Sequence, residues 1–240
     1  MPLQFIYDLG ALKLPPSIGS KAEKLHFLIQ HGWQVPVSYV CTWDAYVQYL
    51  ANDPELSARL RSELLQALHP DRLYAVRSSA NIEDGLEHSF AGQFRSVLNV
   101  RGGDEILQAI ASIWSTTQSP SSQAYLAQSG YTLQDLKMAV VIQEMVPPQV
   151  SGVAFSKNPM TGLDEVVVEA VRGSGEALVQ EGITPERWVS KWGTWTNTPD
   201  ASGNNGAIDL DLPERVTRQT KEIAKAYGRP VDLELSLIHI

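Results

Sequence analysis

The first half of the chain alternates short apolar runs with stretches whose hydrophobic residues recur at helical spacing. Three of these stretches carry their apolar residues on one helical face: Leu25, Leu28 and Ile29; Leu56, Leu60, Leu64 and Leu68; and Ile106, Ile110 and Ile113. The runs VPVSYVCT and LYAV lie between them and have the composition of strands. This half therefore predicts helices that pack against a sheet.

From Lys137 onward the pattern changes to short runs rich in β-branched residues. KMAVVIQEMV, SGVAFSK, DEVVVEAV and RWVSKW are separated by proline and glycine, as strands usually are. One helix is predicted between Pro213 and Gly228, and VDLEL is the last predicted strand. The fold class is therefore α/β (α+β). We expect an N-terminal α/β lobe over residues 1–130 and a β-rich C-terminal lobe over residues 131–240, truncated at its end.

Composition limits the cellular compartment and the kinds of partner that we expect for the protein. The 240 residues carry a formal net charge of −8, which disfavours nucleic acid and anionic membrane surfaces as partners. A single cysteine, Cys41, excludes an intramolecular disulfide and a multi-cysteine zinc site. No run approaches the roughly 20 apolar residues of a membrane span, and the N-terminus lacks a signal-peptide pattern. We therefore expect a cytoplasmic protein without nucleic-acid or membrane partners.

The sequence YAVRSSANIEDG places a predicted strand directly before Arg77 and two serines. A guanidinium presents donors in a fork that suits phosphate oxygens, and hydroxyls can add further donors. A segment with glycine, Ser89 to Gln93, follows, but it matches neither the Walker A pattern nor GxGxxG. Alternatively, Arg77 has a structural role and pairs with Glu83 or Asp84 in an ordinary turn. Taken by itself, this stretch favours the structural role over phosphate binding.

Two other segments are compatible with nucleotide binding and equally with simpler roles. Lys21 opens the first predicted helix, where its ammonium could reach a phosphate or remain solvated. Gln143 to Val146 end an apolar strand just before two prolines. A strand that stops in this way leaves backbone groups unpaired, and an adenine edge could pair with them. A plain strand end fits the same residues.

Three acidic residues in predicted strands are candidates for contacts to a metal or a nucleotide. Glu169 lies within the apolar run VVVEAV, where a buried carboxylate needs a partner. Asp232 and Glu234 flank Leu233, and alternation along a strand places their side chains on the same face. Two carboxylates on one face suit Mg²⁺, although a solvated strand face is the alternative.

In combination, five blocks of this chain resemble the nucleotide-binding domain shared by phosphoenolpyruvate synthase, pyruvate phosphate dikinase and rifampicin phosphotransferase. The blocks are IGSKAEKLHFLIQHGWQVPVSYVCT, AVRSSANIEDGLEHSFAGQFRSVLNV, SGVAFSKNPMTG, VVVEAVRGSGEALVQEGITPERW and YGRPVDLEL. The resemblance covers nearly the whole chain in a fixed order. It implies an ATP-grasp fold, in which two lobes enclose the nucleotide cleft.

The resemblance also implies roles for individual residues, with ATP and Mg²⁺ as cofactors. The implied cofactor-binding positions are Lys21, Arg77, Ser89, Gly92, Gln93, Gln143, Glu144, Met145, Val146 and Glu169. Lys21 and Arg77 would contact the phosphates as catalytic groups, and the Ser89-to-Gln93 loop would cover them. Gln143 to Val146 would form the adenine hinge. Glu169 would contact the nucleotide at its ribose, and Glu234 with Asp232 would hold Mg²⁺.

By the same resemblance, the chain would pass phosphate from ATP to a histidine on a separate swivelling domain, supplied in trans or by a missing region. Two departures qualify this activity. Ser121 and Leu126 stand where a segment like WASLFSERAIAYR has arginines, and the ending LELSLIHI lacks the family's glutamine and arginine. A non-catalytic nucleotide-binding module and a fragment of an antibiotic phosphotransferase are therefore the alternatives. The sequence leaves the final phosphate acceptor open.

Overall fold

The computed structural model describes residues 4–82, 96–173, 185–191, 194–198 and 211–237. The chain divides into two compact units, Met1–Met145 and Val146–Ile240. Within the described residues each unit contains one five-stranded sheet, and all strand pairs in both sheets are antiparallel. The mixed helix and strand content agrees with the predicted α/β (α+β) class.

The described part of the first unit combines five helices with a sheet whose strand order is β1-β2-β5-β3-β4. Its described elements are β1 (Ile6–Asp8), α1 (Gly19–Gln30), β2 (Ser38–Cys41), α2 (Trp43–Leu50), α3 (Leu56–Ala67), β3 (Leu73–Ala80), β4 (Ser96–Arg101), α4 (Gly102–Thr116), α5 (Pro120–Gln128) and β5 (Met138–Glu144).

Both faces of this first sheet are covered by apolar side chains. On one face, the predicted leucine and isoleucine stripes of α3 and α4 pack with Tyr46, Trp114 and the inward residues of β3 and β5. On the other face, Ala22 of α1 packs against Val40 and Val141. The patterns of α3 and α4 are therefore confirmed, because the residues that they assign to the core are buried.

The single cysteine of the chain lies in the core of the first unit. Cys41 is fully buried on β2, and its side chain is a free thiol. Burial raises the pKa of the Cys41 thiol well above its ordinary value. The thiolate that would act as a nucleophile or metal ligand is therefore strongly disfavoured in the folded protein.

The second unit is a sheet covered on one face by a single described helix. Its elements are β6 (Val150–Phe155), β7 (Val166–Arg172), β8 (Glu186–Lys191), β9 (Thr194–Thr198), α6 (Asp211–Tyr227) and β10 (Asp232–Leu237), and the strand order is β10-β6-β7-β8-β9. Leu212 and Val216 of α6 belong to one apolar cluster with Val168 and Trp188. Gly228 adopts a φ of 78° just after α6, which confirms the predicted helix end.

The division between the units falls later than the sequence-based boundary at residue 130. Residues 131–145 belong to the first unit, because β5 pairs with both β2 and β3 at the centre of the first sheet. The composition of β5 groups it with the β-rich half of the sequence, whereas its pairing in the sheet places it in the first unit. Among the described helices, none combines the length and the apolar character needed to cross a membrane.

Candidate functional site

The start of α1 is fixed against the middle of the first sheet. Gly19 adopts a φ of 75°, and a Cβ at this position would lie 2.0 Å from the carbonyl oxygen of Ser79. The Ser79 hydroxyl donates to the Ile18 carbonyl at 3.0 Å and accepts from the Ala22 amide at 3.1 Å. Only glycine allows a helix and a strand to approach this closely, so the contact defines the geometry of this end of α1.

Lys21 and Arg77 lie together on the face of the first sheet that α1 covers. The Lys21 ammonium donates to the Ser78 carbonyl at 3.3 Å. Ala75, Arg77 and Ser79 alternate with the core residues of β3 and therefore point to the α1 side. Both cationic side chains are half-buried. The two residues that the sequence singles out for phosphate contact thus lie on the same side of the first sheet.

The strand that carries Arg77 is longer than the sequence pattern indicates. β3 continues to Ala80, so Arg77 lies within the strand and the two serines after it are buried strand residues. Because the Ser79 hydroxyl already joins α1 to β3, it is not an open donor for a phosphate. Glu83, Asp84, Ser89, Gly92 and Gln93 lie outside the described residues.

The predicted adenine hinge begins with the last two residues of β5, which is the central strand of the first sheet. Gln143 points to the α1 face of the sheet, and its side-chain Nε2 atom donates to the Ser38 hydroxyl at 3.0 Å. The amide of Glu144 donates to the Val37 carbonyl and the amide of Met145 to the Leu73 carbonyl, each at 2.8 Å. The expectation of unpaired backbone groups was therefore wrong for these two amides, because neighbouring chain segments continue beside them.

Side chains on both sides of this hinge segment add further contacts. Arg72 forms an ion pair with Glu144, with an N–O distance of 2.6 Å. The Met145 sulfur accepts a hydrogen bond from the Asn99 amide at 3.1 Å. The position of the segment from Glu144 to Met145 is thus set by side chains as well as by the sheet.

The acidic candidates of the second unit lie on one face of its sheet. Strand pairing aligns Glu234, Val153, Glu169 and Arg187 in a single row across β10, β6, β7 and β8. Asp232 has the same orientation as Glu234, and both are exposed. This face is opposite to the residues that pack on α6. The predicted same-face arrangement of Asp232 and Glu234 is therefore confirmed.

Arg187 lies on the same face, although its sequence context does not mark it as a candidate site residue. Its Nε lies 3.4 Å from the Oε1 atom of Glu169, and both side chains are about one third exposed. It supplies the partner that a carboxylate within an apolar strand requires. The pairing depends on the register between β7 and β8, and no local pattern in the sequence predicts that register.

Asp232 and Glu234 have the chemistry to hold a magnesium ion. Within the described residues, no three histidine, cysteine, aspartate or glutamate side chains come together as a metal cluster. Mg²⁺ bound with a nucleotide needs only one or two protein carboxylates, because phosphates and water supply its other ligands. Two exposed carboxylates on one strand face fit that requirement.

The first unit carries two cations on the α1 side of its sheet, and the second unit carries carboxylates on one face of its own sheet. The family described as pyruvate phosphate dikinase, AMP/ATP-binding domain, matches residues 58–197, which is more than half of the chain. The chain belongs to this family. It is a dikinase-type ATP-binding domain, and its resemblance to phosphoenolpyruvate synthase is confirmed.

Several curated proteins are similar to this chain. The prodigiosin synthesizing transferase PigC of Serratia marcescens is 28% identical over 92% of this chain and 30% of its own length. The phosphoenolpyruvate synthase of Aeropyrum pernix is 30% identical over 73% of the chain and 27% of its own length. A probable phosphoenolpyruvate synthase of Archaeoglobus fulgidus is 42% identical over 48% of the chain and 15% of its own length. The chain thus spans less than a third of these relatives.

Proposed function

We propose that this chain binds Mg²⁺-ATP in an ATP-grasp fold and passes phosphate to a histidine on a separate swivelling domain, as part of a cytoplasmic phosphoenolpyruvate synthase-like phosphotransferase. The observation that carries the proposal is the arrangement of Lys21 and Arg77 around the contact between Gly19 and Ser79. Two half-buried cations at a rigid helix–strand contact are suited to a polyphosphate, because their positions are set before the ligand binds.

In this proposal Lys21 and Arg77 bind the phosphates and stabilise charge during transfer. Arg77 supplies a planar set of donors, and Lys21 supplies a compact charge that is already oriented by the Ser78 carbonyl. Ser89, Gly92 and Gln93 are proposed to cover the phosphates. A charge-assisted hydrogen bond to phosphate is shorter and stronger than a neutral one, so each cation contributes to binding.

The remaining contacts are proposed for the base, the ribose and the metal. Because the amides of Glu144 and Met145 donate within the sheet, adenine would pair with carbonyl groups between Gln143 and Val146 and with the Val146 amide. Glu169 would accept hydrogen bonds from the ribose. Glu234 and Asp232 would hold Mg²⁺, and the bound ion would neutralise charge on the phosphates.

A second candidate function, nucleotide binding without phosphate transfer, is favoured by the helix α5. Leu126 is 1% exposed within the main core of the first unit, at a position where the family pattern has an arginine. Ser121 is exposed at the start of α5, with its hydroxyl 3.1 Å from that of Ser119. Neither residue supplies the cation that would stabilise the transferring phosphate. Pyruvate and an antibiotic are both compatible acceptors if transfer occurs.

Isothermal titration of the 240-residue protein with Mg²⁺-ATP tests the binding step. Lys21→Ala and Arg77→Ala should each weaken binding about ten- to a hundredfold, the value of a hydrogen bond to a charged group. Arg61→Ala is the control, because Arg61 pairs with Asp104 on the exposed surface of the same unit. Absence of ATP binding by the unaltered protein would contradict the proposal, and equal loss in all three variants would indicate misfolding.

Incubation with radiolabelled ATP and the swivelling histidine domain of a phosphoenolpyruvate synthase separates the two candidate functions. Label on the histidine supports phosphate transfer. Binding of ATP without labelling supports the non-catalytic module, and the Ser121→Arg variant then tests whether the missing cation is the cause. A variant that still fails to transfer would show that this position is not the deciding one.

A further inference from the structure

The ion pair between Glu169 and Arg187 lies on the face of the second sheet that carries the proposed metal ligands. The two residues are direct partners across β7 and β8, and the Nε atom of Arg187 lies 3.4 Å from Oε1 of Glu169. Their side chains are 31% and 30% exposed, respectively. Solvent therefore screens this pair only in part, and the arginine constrains the carboxylate that faces it.

The guanidinium of Arg187 has few strong acceptors around it. Its Nε atom is buried and makes no hydrogen bond within the described part of the chain. The two terminal nitrogens lie 3.5 and 3.4 Å from the sulfur of Met160. A thioether is a weak acceptor. Among the described residues, the strongest interaction of Arg187 is thus with one oxygen of Glu169.

The loop that presents Met160 is held by a buried asparagine. Asn158 is 5% exposed, and its side-chain oxygen accepts hydrogen bonds from the amides of Met160 and Thr161 at 3.0 and 3.3 Å. Its side-chain nitrogen donates to Glu165 at 2.8 Å. These bonds hold the backbone of the loop beside Arg187, while Met160 itself is 77% exposed.

We propose that Arg187 is a positioning residue that sets the nucleotide's sugar specificity through Glu169. The ion pair holds Oε1 and leaves Oε2 to accept a hydrogen bond from a ribose hydroxyl; this role rests on the proposed ATP-binding function. Arg187 also offsets the negative charge of Glu169, which would otherwise repel the phosphates of the same ligand.

The test compares the affinities of ATP and 2′,3′-dideoxy-ATP, which lacks both ribose hydroxyls. The unaltered protein should prefer ATP by roughly tenfold or more, because a hydrogen bond to a carboxylate is lost with the hydroxyls. Arg187→Met should bring this preference close to parity by weakening ATP far more than the dideoxy nucleotide. Arg187→Lys keeps a charge without the fork and should give an intermediate preference.

Lys191→Met is the matched control for charge and stability. Lys191 lies on the same strand as Arg187 and pairs with Glu165 at 3.2 Å, so the variant removes a cation and an ion pair from the same sheet. Its preference for ATP should equal that of the unaltered protein. Thermal unfolding of each variant, measured without nucleotide, identifies any effect that comes from loss of fold.

A double-mutant cycle shows whether Arg187 acts through Glu169. In a Glu169→Gln background, Arg187→Met should not change the ratio of the two affinities any further. A further change there, an unaltered preference in Arg187→Met, or an equal loss of both affinities would each overturn the inference. The proposed ATP-binding function would still stand in all three cases. It fails only if the unaltered protein binds neither nucleotide, and the inference then fails with it.

Discussion

The two units of the protein use a five-stranded antiparallel sheet in different ways. In the first unit, α1 packs on one face and α2 to α4 pack on the other, so both faces belong to apolar clusters. In the second unit, α6 packs on one face, and the opposite face carries Glu169, Arg187, Asp232 and Glu234. The first sheet is the centre of a core, whereas the second presents charged side chains.

This difference indicates how each unit fixes its candidate site. The cations of the first unit depend on the close contact between a helix end and a strand at Gly19 and Ser79. The carboxylates of the second unit depend on strand register, because β10, β6, β7 and β8 align them in rows. Packing defects should therefore affect the first site most, and changes of charge should affect the second site most.

The largest expected effect is the loss of stability of the first unit caused by Gly19→Ala. The new Cβ would lie 2.0 Å from the Ser79 carbonyl oxygen, and the backbone φ of 75° is unfavourable for alanine. We expect the free energy of unfolding to fall by about 3 kcal/mol or more, with loss of ATP binding. Urea denaturation and titration with ATP measure the two effects.

Gly32→Ala is the control for this backbone strain. Gly32 has a φ of 80°, but nothing lies within 4 Å of a Cβ built there. The control should cost only about 1 kcal/mol and leave ATP binding intact. Equal destabilisation by the two variants would show that conformational strain, and not the contact between α1 and β3, determines the result.

The next largest effect concerns ATP affinity, and its dependence on Mg²⁺ distinguishes the role of the cation Lys21 from that of the carboxylates Asp232 and Glu234. Lys21→Ala should weaken ATP binding about tenfold or more both in Mg²⁺ and in EDTA, because the contact proposed for this lysine is with the phosphates themselves. Asp232→Asn combined with Glu234→Gln should weaken binding only when Mg²⁺ is present. In EDTA, loss of the two negative charges should leave ATP affinity unchanged or improved. Weaker binding in EDTA by this double variant would contradict a metal-ligand role.

A smaller effect concerns the attachment of β1 to the first unit. One oxygen of Glu63 accepts hydrogen bonds from the amides of Phe5 and Ile6, both at 2.8 Å. Glu63→Gln replaces this charged acceptor by a neutral one and should cost about 1–2 kcal/mol. Faster hydrogen exchange at the β1 amides, with no change in the second unit, would support this result. Glu55→Gln on the exposed start of α3 is the control.

The smallest predicted effect is a pH dependence that belongs to the second unit. Hydrogen bonds from Asn158 and then Lys191 lower the pKa of Glu165 below its ordinary value of 4.5. Because folding lowers this pKa, the unfolded state binds more protons in acid. The stabilisation is therefore fully present above the unfolded pKa and is lost as the pH falls through the folded value.

Glu165→Gln should reduce the loss of stability of the second unit in acid. Urea denaturation at a series of pH values below neutrality measures this change, and Glu214→Gln on the exposed side of α6 is the control. An identical pH profile for Glu165→Gln and the unaltered protein would show that the interactions of Glu165 do not contribute to acid sensitivity.

Local patterns were sufficient to predict the buried faces of α3 and α4 and the orientation of side chains within a strand. The leucines of α3 and the isoleucines of α4 are buried as their spacing indicates, and Asp232 and Glu234 share one face. Both predictions depend on the geometry of a single helix or strand. They require no knowledge of which elements meet in the fold.

Features set by distant residues could not be predicted in this way. β5 is recognisable as a strand, but its position between β2 and β3 depends on pairing with segments far away in the chain. The pattern IGSK draws attention to Lys21, whereas the contact with Ser79 makes Gly19 the more constrained residue. The pairing of Arg187 with Glu169 likewise depends on register.

Because Cys41 is buried, the rate at which the first unit opens can be measured selectively. The chain has one thiol, and the folded core of the first unit shields it completely. A thiol reagent can therefore label the native protein only after that core has opened, and the second unit contributes no background signal. The rate of labelling, with and without nucleotide, would report how often the first unit opens and whether a bound ligand slows that opening.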